Sequence, residues 1–219
     1  MDGGFPIDLI LFGMIAAFLV LRLRSILGRR TGYERPTAAY QPQAAPAAPV
    51  IEGRAEPVAP AAAHVLPDPN GPVGQTLGRM QATDPGFNPG AFLNGAEQAF
   101  RMIVDAFAKG DRATLRPLLS AATYGAFDSA ITAGEAAGHT QISEMRGIQS
   151  ATIEQADLSG SIARLTVRFV SDQISYTRDA AGNPVAGTDA VTELVDLWSF
   201  ERDLTSHDPV WRLVAATSA

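Results

Sequence analysis

Residues able to do chemistry are few in this chain and far apart. Two acids, Glu193 and Asp196, lie in the segment TELVDLWSF. A carboxylate held in apolar surroundings can act as a general base, which makes this pair the main acid–base candidate. Acids on a strand more often pair with arginine, and Arg164 and Arg168 on the preceding strand are the expected cross-strand partners. His139 and His207 fall at loop or turn positions with no nucleophile beside them, and Asp208-Pro209 reads as turn chemistry. His64 stands alone in a proline–alanine tract and is expected to be inert. No phosphate loop, paired metal-ligand motif or nucleic-acid patch is visible. No catalytic, metal or cofactor-binding residue is therefore assigned, and no cofactor is expected.

The same segment is apolar on both faces: Val191, Val195 and Leu197 on one, Leu194, Trp198 and Phe200 on the other. Such a strand is buried on both sides or offers one side to a partner. Either a bulge in a sharply curved sheet turns both sets inward, or an apolar groove accepts a peptide, lipid tail or partner helix. The residues that would form that groove are Val195, Leu197, Trp198, Phe200 and Trp211.

The elements that must position these residues follow from periodicity. Asn88 is a good N-cap with Pro89 in the first turn. Leu93, Ala96, Phe100, Ile103 and Phe107 form one apolar stripe, and Lys109-Gly110 closes the helix. Asp111 caps a short helix that Pro117 should end or kink. Ser120 caps a third, ATYGAFDSAITAGEAAG, with Tyr124, Phe127 and Ile131 facing inward. From Gln141 the period becomes two, with strands expected at 142–158, 161–178, 188–204 and 210–217. Helices followed by a four-stranded antiparallel meander make an α+β domain over 85–219.

Ahead of this domain the chain changes character twice. Residues 5–27, FPIDLILFGMIAAFLVLRLRSIL, carry no charge from Leu9 to Leu21. A bilayer core of ~30 Å asks for roughly 20 helical residues, so this segment spans if Arg22 and Arg24 snorkel to the headgroups. A cleaved signal peptide has its positive charges before the apolar run, whereas here Arg22, Arg24, Arg29 and Arg30 follow it. The positive-inside rule then puts everything after the anchor in the cytoplasm of an inner-membrane, single-pass protein. Residues 28–72, rich in proline and alanine, read as a disordered linker, and 73–84 as an amphipathic transition. The chain has no cysteine and a formal net charge of −6, which suits a reducing compartment and argues against nucleic acid.

The blocks DPGFNPGAFLNGAEQAFRMIVDAFAKGD, LRPLLS, VRFVSDQI, DLWSFERDL and DPVWRLVA, in that order, resemble a known domain family. It is the carboxy-terminal domain of subunit 44 of the mitochondrial translocase of the inner membrane, with its bacterial relatives. The resemblance implies a curved antiparallel sheet related to the cystatin-like and nuclear-transport-factor-2-like folds. It also implies a non-catalytic adaptor with protein partners in a translocation or chaperone-like complex, attracted to anionic lipid such as cardiolipin. In mitochondria, segments ahead of the domain recruit a heat-shock-class chaperone; here an anchor and a proline–alanine linker take their place, so that contact does not carry over. The alternative is a membrane-tethered small-ligand-binding domain of the nuclear-transport-factor-2-like class, with or without hydrolase or isomerase activity; an acid on the third strand would be its base in a cone-shaped pocket.

Overall fold

The computed structural model describes residues 63–218; the expected anchor at 5–27, its arginines and the linker to residue 62 lie outside the described residues. The elements are β1 (Ala63–Val65), α1 (Pro72–Thr83), α2 (Pro89–Lys109), α3 (Arg112–Leu118), α4 (Ala121–Ala136), β2 (Thr140–Ser159), β3 (Ile162–Arg178), β4 (Pro184–Asp203) and β5 (Arg212–Ser218). The sheet order is β1-β2-β3-β4-β5, parallel between β1 and β2 and antiparallel elsewhere.

Local chemistry sets the helix limits. Asn88 accepts from the Ala91 amide at 2.9 Å, and Gly110 closes α2 in the left-handed region at φ 66°. Asp111 accepts from the Ala113 and Thr114 amides, and Ser120 from the Thr123 amide. Pro117 ends α3 one residue later, at Leu118, because its ring cannot continue the hydrogen-bond ladder.

The stripe of α2 lies against the sheet. Phe100 is fully buried, stacked on Phe169 at 4.4 Å and meeting Trp198 edge-on at 4.6 Å. Leu93, Ala96 and Ile103 are buried beside it, while Phe107 is only partly buried. On β3, Ala163, Leu165, Val167 and Phe169 all face this core, and the strand's other face carries Arg164, Thr166 and Arg168. Register shifts along β2–β3, β3–β4 and β4–β5 mark bulges, which bend and twist a sheet.

Two expectations change on the amino-terminal side. The expected four-stranded antiparallel sheet has a fifth, parallel strand: β1 pairs with Ser150–Thr152 of β2, inside the tract read as linker. This strand is three residues long, and its last residue, Val65, and the following Leu66 are each 54% exposed. It joins through backbone at a free sheet edge, which leaves no hydrophobic pattern to read. His64, expected to be inert, places Nε2 3.1 Å from Glu97 Oε2, and Arg101 Nη2 donates to the other oxygen of Glu97 at 3.0 Å. The second change is that residues 73–84 form most of α1, which packs on β2 and buries Thr76, Leu77 and Met80.

Candidate functional site

Helix α4 faces the sheet with small side chains. Ala122, Ala126, Ala130, Ala133 and Ala137 recur every three or four residues on one side, with Gly134 among them. Ile131 is buried, but Tyr124 and Phe127, both expected to point inward, are half-buried. Alanine ends at Cβ, so this face leaves the space to the sheet unfilled. A cavity of about 790 Å³ results, bounded by α4, the end of α2, the far ends of β2–β4 and residues Val214–Ala216 of β5. Ligand pockets commonly measure roughly 300–1,000 Å³.

Two sets of contacts hold α4 at this distance. At its start, the Ser120 amide donates to Leu213 O at 2.9 Å, and Thr123 Oγ1 donates to Val214 O at 3.1 Å. Val214 is the extra residue of the β4–β5 bulge, so Thr123 satisfies a carbonyl that the ladder leaves out. Along its second half, Arg112 reaches Asp128 (Nε to Oδ1, 2.6 Å), Thr132 (Nη2 to Oγ1, 3.0 Å) and both Glu135 oxygens at 2.9 Å. These hydrogen bonds hold the Glu135 carboxyl below the usual carboxylate range and push the Arg112 guanidinium above its ordinary value.

The five residues expected to form a groove do not meet at one site, and none lines the cavity. Trp198 and Phe200, 6% and 1% exposed, are core residues on the α2 side. Trp211 lies half-buried 4.8 Å from Phe92 and 5.8 Å from Phe87. Val195 and Leu197 sit half-buried on the opposite sheet face, paired with Val170 and Arg168. The bulges therefore do not turn both faces of β4 inward.

The acid–base candidates separate as well. Asp196 shares the core-side face with its register partner Phe169, and its Oδ1 accepts from Ser218 Oγ at 2.7 Å. Burial raises its pKa above the ordinary aspartate value. Glu193 is exposed. The expected arginine partners bind other acids: Arg164 donates to Glu201 at 2.6 Å, and Arg168 lies 3.6 Å from Glu154. His139 is exposed at the cavity margin and His207 is exposed in its turn. Asp208 accepts from the Val210 amide at 3.0 Å, the turn role expected of it.

The cavity thus offers apolar surface and shape. Its one carboxylate, Glu135, is held ionised by Arg112, and Asp196 does not line it. Among the described residues no group of three histidine, cysteine, aspartate or glutamate side chains could hold a metal ion. Also among them, no helix is long and apolar enough to cross a membrane.

Comparison with known proteins places the chain. No curated protein matches it. The intermembrane-space region of the chloroplast protein ARC6 is similar in structure, with TM-score 0.42, 10% identity, 57% of this chain and 95% of that one covered. A Streptomyces avermitilis protein described as a candidate dehydratase of the NTF2-like family gives TM-score 0.38 and 13% identity, covering 59% of this chain and 97% of that one. A conserved protein of Planctomyces limnophilus gives TM-score 0.31 and 16% identity, covering 57% and 94%. The model of the Tim44-like domain matches residues 73–218, from the second residue of α1 to the end of β5 and so more than half of the chain, which therefore belongs to the Tim44-like domain family.

Proposed function

We propose that the chain is a membrane-anchored, non-enzymatic adaptor whose Tim44-like domain holds a protein partner at the cytoplasmic face of the inner membrane. The observation that carries this reading is the apolar cavity under α4, which has surface to offer an inserted apolar segment and whose one carboxylate, Glu135, is bound by Arg112. The anchor is residues 5–27, flanked on the domain side by Arg22, Arg24, Arg29 and Arg30. A flexible coil as long as the 28–62 stretch, about 35 residues between the anchor and β1, has an end-to-end distance of roughly 30 Å. Tethering over that span raises the effective concentration of a membrane-bound partner to about the millimolar range, so a weak apolar contact suffices. Contact with anionic lipid such as cardiolipin is a secondary expectation, opposed by the acidic balance of the chain.

The test is a photo-reactive residue in place of Ala130 in the full-length chain, irradiated in cells. A defined protein adduct that disappears when residues 1–30 are deleted is expected. Adducts only with small molecules, or the same protein adduct without the anchor, would overturn the reading. The raised pKa of Asp196 on the core-side face favours a second reading, a tethered ligand-binding domain with that acid as base. It requires turnover of a small-molecule substrate that is lost in Asp196→Asn.

A further inference from the structure

Resting on the proposal that the α4 cavity receives a partner, we infer that α4 is its lid and that Arg112 is the latch. The helix is attached to its surroundings by contacts of different kinds, among them an Arg116 hydrogen bond to the Tyr124 hydroxyl. Its first turn is joined to the sheet, through the Ser120 amide on Leu213 O and Thr123 Oγ1 on Val214 O. Thr123 is buried, and Leu119 just ahead of it bridges to Leu213, so this end is fixed. The remainder of α4 rests on the α2–α3 turn and spans the cavity without seating on the strands. Phe127 meets Phe107 edge-on at 5.0 Å, and Ile131 lies against the turn at Gly110.

Beyond those two contacts, one side chain gathers the free half of the helix. Arg112 binds positions 128, 132 and 135, an i, i+4, i+7 stripe whose last member, Glu135, also lies at the cavity edge. The stripe is solvent-accessible: the side chains of Arg112, Asp128 and Glu135 are 34%, 42% and 58% exposed. Exposed ion pairs contribute modestly and exchange readily with water, which suits a catch that opens. The guanidinium is planar, and its fork engages Glu135 through both oxygens while Nε takes Asp128, a geometry a lysine cannot reproduce. The remaining resistance to opening is the burial of Ile131, the Phe127–Phe107 contact and the Arg116 hydrogen bond to the Tyr124 hydroxyl at 3.1 Å; the alanine and glycine of the cavity-facing row add little. The cavity already meets solvent at Ala133, Ala137 and His139. Swinging the second half of α4 about the Ser120–Thr123 attachment would break the Arg112 contacts, lift Ile131 from the turn and widen that opening, with the β5 junction intact.

The chain contains no cysteine, so one introduced thiol reports opening without background. Ala130→Cys in the full-length chain puts a thiol on the cavity wall, and Ser129→Cys puts one on the exposed side of the same helix. Each is reacted with N-ethylmaleimide. Adding Arg112→Gln should speed labelling at position 130 about tenfold and leave position 129 within about twofold. Arg112→Lys, which keeps the charge and loses the fork, should give an intermediate rate, and an unchanged circular dichroism spectrum checks that each variant is folded. Equal rates at position 130 with and without Arg112 would overturn the latch. Parallel acceleration at both positions would show local unfolding of α4 and would also overturn it. An unchanged rate at 130 alongside a retained protein adduct at that position removes the lid and leaves the adaptor reading standing. Faster labelling without any protein adduct does the reverse.

Discussion

Helices α2 and α4 lie on one side of one sheet and meet it in opposite ways. The inner face of α2 carries phenylalanine, leucine and isoleucine; Phe100 reaches the sheet and stacks on Phe169 at 4.4 Å. On α4 only Thr123 and Ile131 are buried, the rest of the row toward the sheet is mostly alanine, and about 790 Å³ remains beneath it. Both helices are well capped, by Asn88 and Ser120, so the contrast does not lie in helix formation. Side-chain volume on the inward stripe decides whether a helix seals the sheet or stands off it. In this molecule the α2 half of the sheet is sealed and the α4 half is hollow.

The contrast can be broken most strongly from the sealed side. Phe100→Ala removes a fully buried ring with two aromatic neighbours, and should cost ~3–5 kcal/mol in denaturant unfolding. A cost near zero would mean that α2 is no better seated than α4. Asn88→Ala removes the cap that starts α2 and should cost ~1 kcal/mol, measured the same way. On the hollow side, Ala126→Leu with Ala130→Leu fills space instead of crowding it, and should change stability by less than ~1 kcal/mol. Overpacking a sealed core would cost about 1–3 kcal/mol, so a loss of that size would contradict the cavity.

The smallest effect concerns Asp196, at the border between the two halves. Burial raises its pKa in the folded state, so its contribution to stability is complete below the unfolded carboxylate value and is lost as pH rises through the raised one. Asp196→Asn should therefore raise the unfolding midpoint at neutral pH and leave it unchanged in acid. A midpoint that falls at both values would show that the hydrogen bond with Ser218 outweighs the burial.

What was legible in the sequence was local. Asn88, Gly110, Asp111 and Ser120 act within a few residues of themselves, and the alternation in β3 needs only its own strand, so these parts were found. β1 was missed because it pairs through backbone alone, and the partner of His64 lies 33 positions away on α2. The arginines on β3 were read as partners of Glu193 and Asp196, but register brings Arg164 opposite Glu201. The cavity was hidden for a different reason. An alanine row reads the same whether a helix packs closely or stands away, and only the distance to the next element separates the two cases. Trp198 and Phe200 drew attention as large apolar residues, and the fold uses them as core.

The measurement that tests this contrast most directly is amide hydrogen exchange along α2 and α4 in the full-length chain. Buried amides of α2, from Phe92 to Ala106, should exchange only through global unfolding, following the stability measured in denaturant. Amides of α4 from Phe127 to Ala136 should exchange through a local opening at least tenfold faster, independent of denaturant, while Thr123 near the β5 junction stays protected. Equal, globally limited protection of both helices would mean that α4 is as firmly seated as α2, and would contradict the division of the domain into a sealed half and a hollow one.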